Sequence, residues 1–162
     1  MKLKDLSIRW ASQTECEAII SLMEELYRHS NPDGPKQFSR NATFDHITRL
    51  IDPATPHRLA IAWSKEGKPI GLAAAAIFLS VNEATEDRQT QMELKELFVS
   101  EPCRSAGVGE ALMIWIEDYG RSKGVSRFDW HVQSNNTAGT AFYKKLGACT
   151  VVDRLSMRKR LK

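Results

Sequence analysis

The chain has 162 residues, a size for one compact domain that buries roughly 70% of its unfolded surface. Its 42% hydrophobic and 27% charged residues exclude global disorder. The net charge of +3 is partly held in a basic tail, Arg154 to Lys162, that has no interleaved aromatics, so a nucleic-acid-stacking surface is not expected.

In chain order, Leu6–Trp10 alternates as a first strand, and Thr14-x-x-Glu17 reads as a capping box opening a helix with the apolar stripe Ile19, Leu22, Met23 and Leu26. Ser30–Gln37, with two prolines and Gly34, reads as a loop, and Thr43 as the cap of a short helix carrying Ile47, Leu50 and Ile51 before Pro53. Leu59–Trp63 and Pro69–Val81 predict a hairpin turning at Lys65-Glu66-Gly67-Lys68, and the polar Asn82–Gln89 leads to a fourth strand, Gln91–Val99. A helix running to Lys123, a strand Arg127–Val132, a helix Asn136–Leu146 and one or more terminal strands through Met157 complete a single α/β domain over 1–162, without repeats or a linker.

Between the fourth strand and its helix lies Arg104-Ser105-Ala106-Gly107-Val108-Gly109. Side-chain-poor backbone entering a helix favours phosphate, because glycines admit close approach and first-turn N–H groups carry the positive end of the helix dipole. A Walker loop is excluded, since Glu110-Ala111 stand where Lys-Ser/Thr is needed. A dinucleotide loop is disfavoured by Leu112, which takes the place of the third glycine.

Cys16, Cys103 and Cys149 are odd in number and widely spaced, and His29, His46, His57 and His131 are scattered, so neither disulfides nor a metal site is expected. An acyl-cysteine route through Cys103 has no histidine or acid placed in sequence to support it. The apolar run Ile70–Leu79 is too short to span a bilayer and the N-terminus lacks an apolar leader core, so a cytoplasmic protein with no membrane partner is expected.

Downstream, Asn136-Thr137-Ala138-Gly139-Thr140-Ala141-Phe142-Tyr143 continues into Lys144-Lys145-Leu146-Gly147-Ala148. Together with Leu97-Phe98-Val99 and Arg-x-x-Gly-x-Gly, this segment resembles the acetyl-CoA-binding core of the GNAT superfamily of N-acetyltransferases, over residues 93–148. Trp130-His131-Val132 ahead of Asn136 is similar to the diamine and thialysine acetyltransferase branch, with Asn135 in place of that branch's second tryptophan, and Gly139 stands where the family usually has alanine. The resemblance implies a mixed, mostly antiparallel sheet of six or seven strands flanked by about four helices and splayed between strands 4 and 5.

It also implies acetyl-CoA as donor, with no metal. Pantetheine would pair with backbone of Leu97, Phe98 and Val99; N–H groups of Ser105, Ala106, Gly107, Val108, Gly109 and Glu110 would hold the pyrophosphate, with Arg104 at its edge. Asn136, Gly139, Phe142 and Tyr143 complete the implied cofactor set. Direct attack by an amine requires a base and an acid. Tyr143 matches the family's acid, and a phenol with a pKa of about 10 stays protonated at neutral pH. For the base, strand alternation sets Glu93, Lys95, Leu97 and Val99 on one face and Leu94, Glu96 and Phe98 on the other. Glu93 comes first by its spacing from Arg104 and Glu96 second, with proton loss through water a third option and His131 a weaker one. The implied acceptor region is Tyr27–Ile51 and Asn82–Gln91; Glu24 and Glu25 just ahead of it, and Glu83, Glu86 and Asp87 within it, suit a cationic small-molecule amine or merely form solvated faces. A protein amino group, a silent acyl-CoA sensor and homodimerisation are left open.

Overall fold

The computed structural model describes residues 6–34, 38–83, 85, 88–153 and 155–161. The chain divides into two compact units, one ending at Trp130 and one beginning at His131.

The first unit is built on a five-stranded sheet. Strands β1 (Ser7–Trp10), β2 (His57–Trp63), β3 (Pro69–Leu79) and β4 (Thr90–Val99) form an antiparallel meander, and β5 (Arg127–Trp130) joins β4 in parallel. Parallel neighbours need a crossover, which α3 (Val108–Ser122) supplies. Helices α1 (Cys16–Ser30) and α2 (Arg40–Leu50) cover one face. There Ile19, Ile20, Leu22 and Ile47 pack with Leu59, Ile61, Trp63, Leu72 and Phe98 into one core. On the opposite face α3 buries Val108, Leu112, Met113 and Ile116, and Trp10 meets Trp115 and Tyr119 edge-on at centroid distances of 4.3 and 4.7 Å.

Two helix starts differ from the sequence expectation. The capping box is Ser12–Glu15, not Thr14–Glu17: the Ser12 N–H and hydroxyl donate to Glu15 Oε2 at 3.2 and 2.8 Å, and Arg9 pairs with the same carboxylate at 2.6 Å. This arginine ties the turn to β1, which Glu17 does not. For α2 the cap is Ser39, whose Oγ accepts from Ala42 N–H at 3.3 Å, while Thr43 lies inside the helix and bonds back to the Ser39 carbonyl.

The helix–sheet spacing that a third loop glycine would permit is provided by Gly71 of β3. A Cβ there would meet Val108 Cγ1 and the Phe98 carbonyl oxygen at 3.1 Å and Leu112 Cδ1 at 3.2 Å. Gly71→Ala is therefore expected to destabilise the fold by about 1–3 kcal/mol through overpacking, measured by denaturant unfolding.

The second unit contains α4 (Thr137–Lys145). Asn136 Oδ1 caps it by accepting from Gly139 N–H at 2.8 Å. It ends at Leu146-Gly147-Ala148, where Gly147 takes φ +89°, its N–H bonds the Lys144 carbonyl, and Ala148 N–H bonds the Tyr143 carbonyl. These two hydrogen bonds make a Schellman stop, so the Leu-Gly-Ala motif has a structural job of its own.

The expected sixth or seventh strand is not formed among the described residues after Gly147. Val151, Val152, Leu155 and Met157 are exposed. An apolar segment makes a strand only when a ladder partner satisfies its backbone, and among the described residues none is paired to this one. The strand expected to reach Val132 ends at Trp130, where its pairing to β4 stops.

Candidate active site

Position Lys95 reorganises β4. Ala74 pairs with Glu96 but Ala75 with Leu94, so Lys95 is one extra residue on the strand, a β-bulge. Directly opposed residues of an antiparallel pair share a face. Leu72, Ala74 and Ala76 lie on one face of β3, and their partners Phe98, Glu96 and Glu93 therefore lie on it too. This corrects the simple alternation: the bulge resets the period, and both candidate bases face the α1/α2 side with Phe98, whereas Leu94 and Leu97 face α3.

The edge of β4 beyond the bulge follows from its hydrogen bonds. Ser100 N–H bonds to the Ile70 carbonyl at 2.9 Å. In an antiparallel ladder such bonding recurs at every second residue, so Phe98 also gives its N–H and C=O to β3, while Leu97 and Val99 direct theirs to the opposite edge. On that edge β5 pairs only from Gln91–Arg127 to Leu94–Trp130. Of the three residues expected to meet pantetheine, Leu97 and Val99 present backbone to the open edge; Phe98 contributes a ring, buried and 5.8 Å from His29.

Past Val99 the chain makes a short turn, Glu101–Cys103, and enters the glycine loop. Ser105 sits at φ +61° and Gly107 at φ +82°. Left-handed residues alternating with an ordinary one turn successive N–H groups inward, the geometry of an anion nest. Ser105 is the one non-glycine residue with positive φ among the described residues, a conformation that side chains seldom adopt. Gly107 is also the N-cap of α3 and brings no side chain to its first-turn N–H groups. Arg104 donates from Nε to the Val99 carbonyl at 3.1 Å, and its guanidinium carbon lies 5.8 Å from the Phe98 ring centroid.

The two acids on β4 differ. Glu93 is paired with Lys95 at 2.6 Å. Glu96 is half-buried, and burial raises its carboxyl above the ordinary glutamate range, with the Leu97 N–H pulling more weakly the other way. On α1, Glu25 accepts a hydrogen bond from the buried Ser100 hydroxyl at 2.5 Å, while Glu24 pairs with Arg28 at 3.3 Å. Glu25 is thus anchored to the end of β4 rather than simply solvated. Ser100 was not singled out from the sequence, and no local motif marks it; nor does one mark the bulge. Glu86 and Asp87 lie outside the described residues, as do Pro35–Gln37 and Arg154. Glu83 lines a polar cavity of about 360 Å³ with Arg88, Gln91, Ser126 and Arg127, at the end of β4 away from the glycine loop. In the second unit Phe142 and Tyr143 stack edge-on at 5.1 Å on α4. Among the described residues no His/Cys/Asp/Glu group could hold a metal, and no helix is long and apolar enough to cross a membrane.

A strand edge left open beside a bulge thus runs into a loop with two left-handed residues and a helix start that no side chain caps, in a mixed α/β fold. Residues 7–148 match the acetyltransferase (GNAT) family, and the chain belongs to it. It is accordingly an acetyltransferase, of a family that uses acetyl-CoA. Among solved structures it is similar to an integron cassette protein from the mobile metagenome of V. cholerae, at 23% identity over 96% of this chain and 93% of that one, TM-score 0.83. It is also similar to AAC(6')-Iy in complex with a CoA-S-monomethyl-acetylneamine bisubstrate analogue, at 23% identity over 96% and 99%, TM-score 0.75. A third is the aminoglycoside antibiotic 6'-N-acetyltransferase AAC(6')-Ih from Acinetobacter baumannii, at 16% identity over 97% and 99%, TM-score 0.72. These likenesses speak for the fold alone. No curated protein matches the chain.

Proposed function

We propose that the protein transfers the acetyl group of acetyl-CoA to a primary amine of a small cationic molecule, by direct attack in a ternary complex. The observation that carries this reading is the bulge at Lys95, which turns Glu93 and Glu96 to one face of β4 while the strand edge at Leu97 and Val99 opens toward the glycine loop. The pantetheine arm of coenzyme A extends along that edge, and the pyrophosphate of the coenzyme takes the N–H groups of Ser105 to Glu110. Glu96 removes the ammonium proton, ahead of Glu93, because a carboxyl raised by burial is the better-matched base and Glu93 is engaged with Lys95. The amine nitrogen then bonds to the thioester carbon, the C–S bond breaks, and the departing thiolate receives a proton, for which the family resemblance assigns Tyr143; it likewise assigns Asn136, Gly139 and Phe142 to the donor. The family match runs across both units, which supports one domain over 1–162.

Carboxylates support a cationic acceptor: Glu93 and Glu96 on the shared face, and Glu25 at its border with α1. Acceptors with more than one amine, such as diamines or aminoglycosides, fit best, and a cytoplasmic setting supplies the donor. The test is a panel of such amines assayed for acetyl-CoA-dependent release of free thiol. Turnover is expected with multiply charged amines and little with neutral monoamines. Tight acetyl-CoA binding without turnover on any amine overturns the reading in favour of a silent acyl-CoA sensor.

A further inference from the structure

We infer that Arg104 is a latch on the donor edge, making the protein select thioesters that carry a pyrophosphate over the same thioesters without one. This rests on the acetyl-CoA reading above and deepens it. The Val99 carbonyl is directed away from β3, to the edge on which a pantetheine amide would pair, and Arg104 Nε already donates to it at 3.1 Å. The oxygen has two lone pairs, but the guanidinium occupies one of them and stands on the edge along which the pantetheine amide must approach. The guanidinium is also near the Phe98 ring, at 5.8 Å, so the side chain is folded back along the strand end instead of reaching over the loop that follows it.

Arg104 is the residue directly before the nest residues Ser105 and Gly107. A ligand pyrophosphate seated there offers the guanidinium a bidentate, charge-assisted partner in place of a neutral carbonyl. The phosphate therefore draws the side chain off Val99 and uncovers the acceptor that pantetheine needs. A donor lacking phosphate must displace the arginine with nothing gained in return, and its apparent affinity is reduced by the fraction of molecules that are latched. Phosphate recognition and exposure of the strand edge are thus one event.

Arg104 is exposed and caps no core element, so its replacement leaves the fold intact. The experiment is calorimetric titration of wild type, Arg104→Ala and Arg104→Lys with acetyl-CoA and with S-acetylpantetheine. Arg104→Ala is expected to bind acetyl-CoA about tenfold more weakly, from the lost charged contact, yet to bind S-acetylpantetheine about three- to tenfold more tightly than wild type. Arg104→Lys retains the charge but not the planar Nε donor. It is expected to recover most acetyl-CoA affinity while keeping the gain for S-acetylpantetheine. Unchanged or weaker S-acetylpantetheine binding by both variants, with wild type binding acetyl-CoA normally, overturns the latch alone. A wild type that binds no acetyl-CoA overturns the donor reading and the latch with it.

Discussion

Glu96→Gln is expected to lower kcat by about 10²–10⁴-fold, the usual contribution of a positioned base, and to raise the melting temperature at neutral pH. Both effects have one cause. Burial raises the Glu96 carboxyl, so the folded state disfavours the ionised form relative to the unfolded chain. The sign follows from linkage: the protonated carboxyl adds to stability below the unfolded value, and that gain is lost as pH rises through the higher folded value. At neutral pH the ionised group is a net cost, which a neutral amide of the same shape removes. The difference in melting temperature between variant and wild type should therefore grow as pH climbs from below the ordinary glutamate range to neutrality. The acid limb of the wild-type kcat/KM profile should lie above that range too, and be absent from Glu96→Gln. Glu93→Gln should cost less, because its carboxylate is already committed to Lys95 at 2.6 Å. An unchanged kcat in Glu96→Gln would sink the assignment and leave Glu93 or water to carry the proton.

The sequence could order Glu93 and Glu96 only by spacing and by strict alternation, and alternation set them on opposite faces. A bulge is a tertiary event: Lys95 is extra only because Ala74 and Ala75 keep their places on β3 while β4 gains a residue. No composition cue announces it. What was legible came from short-range chemistry. The glycine loop followed a strand and opened a helix as its residues required, and the turn at Gly67 and the stop at Gly147 both use positive φ. Helix starts were read two to four residues away from their true caps, because several hydroxyls competed and the deciding contact, Arg9 to Glu15, links separate elements. Leu112 gave the right exclusion of a dinucleotide loop, yet the glycine that admits its close packing lies on β3 at Gly71. The terminal strands failed for the converse reason: apolar residues such as Val151, Val152, Leu155 and Met157 allowed a strand, but a ladder partner is not a local property.

Tyr143→Phe tests the other proton. Removing only the hydroxyl keeps the ring that packs edge-on against Phe142 at 5.1 Å, and leaves the Schellman stop through the Tyr143 carbonyl untouched. Helix α4 should thus remain folded, with far-ultraviolet dichroism and melting temperature close to wild type. The hydroxyl's proposed partner is a thiolate that exists only as the C–S bond breaks, so its loss falls on the transition state and not on the bound donor. The expected result is a fall in kcat with the dissociation constant for acetyl-CoA unchanged. A thiol of pKa about 8.5 is a tolerable leaving group near neutral pH, so the fall belongs at the low end of acid catalysis, about 10²-fold. Steady-state kinetics with the best amine of the panel, paired with calorimetry for acetyl-CoA, separates the two quantities. A loss of acetyl-CoA affinity that accounts for the whole change in kcat/KM would make Tyr143 a donor-binding residue, and full turnover in the phenylalanine variant would remove it from the reaction.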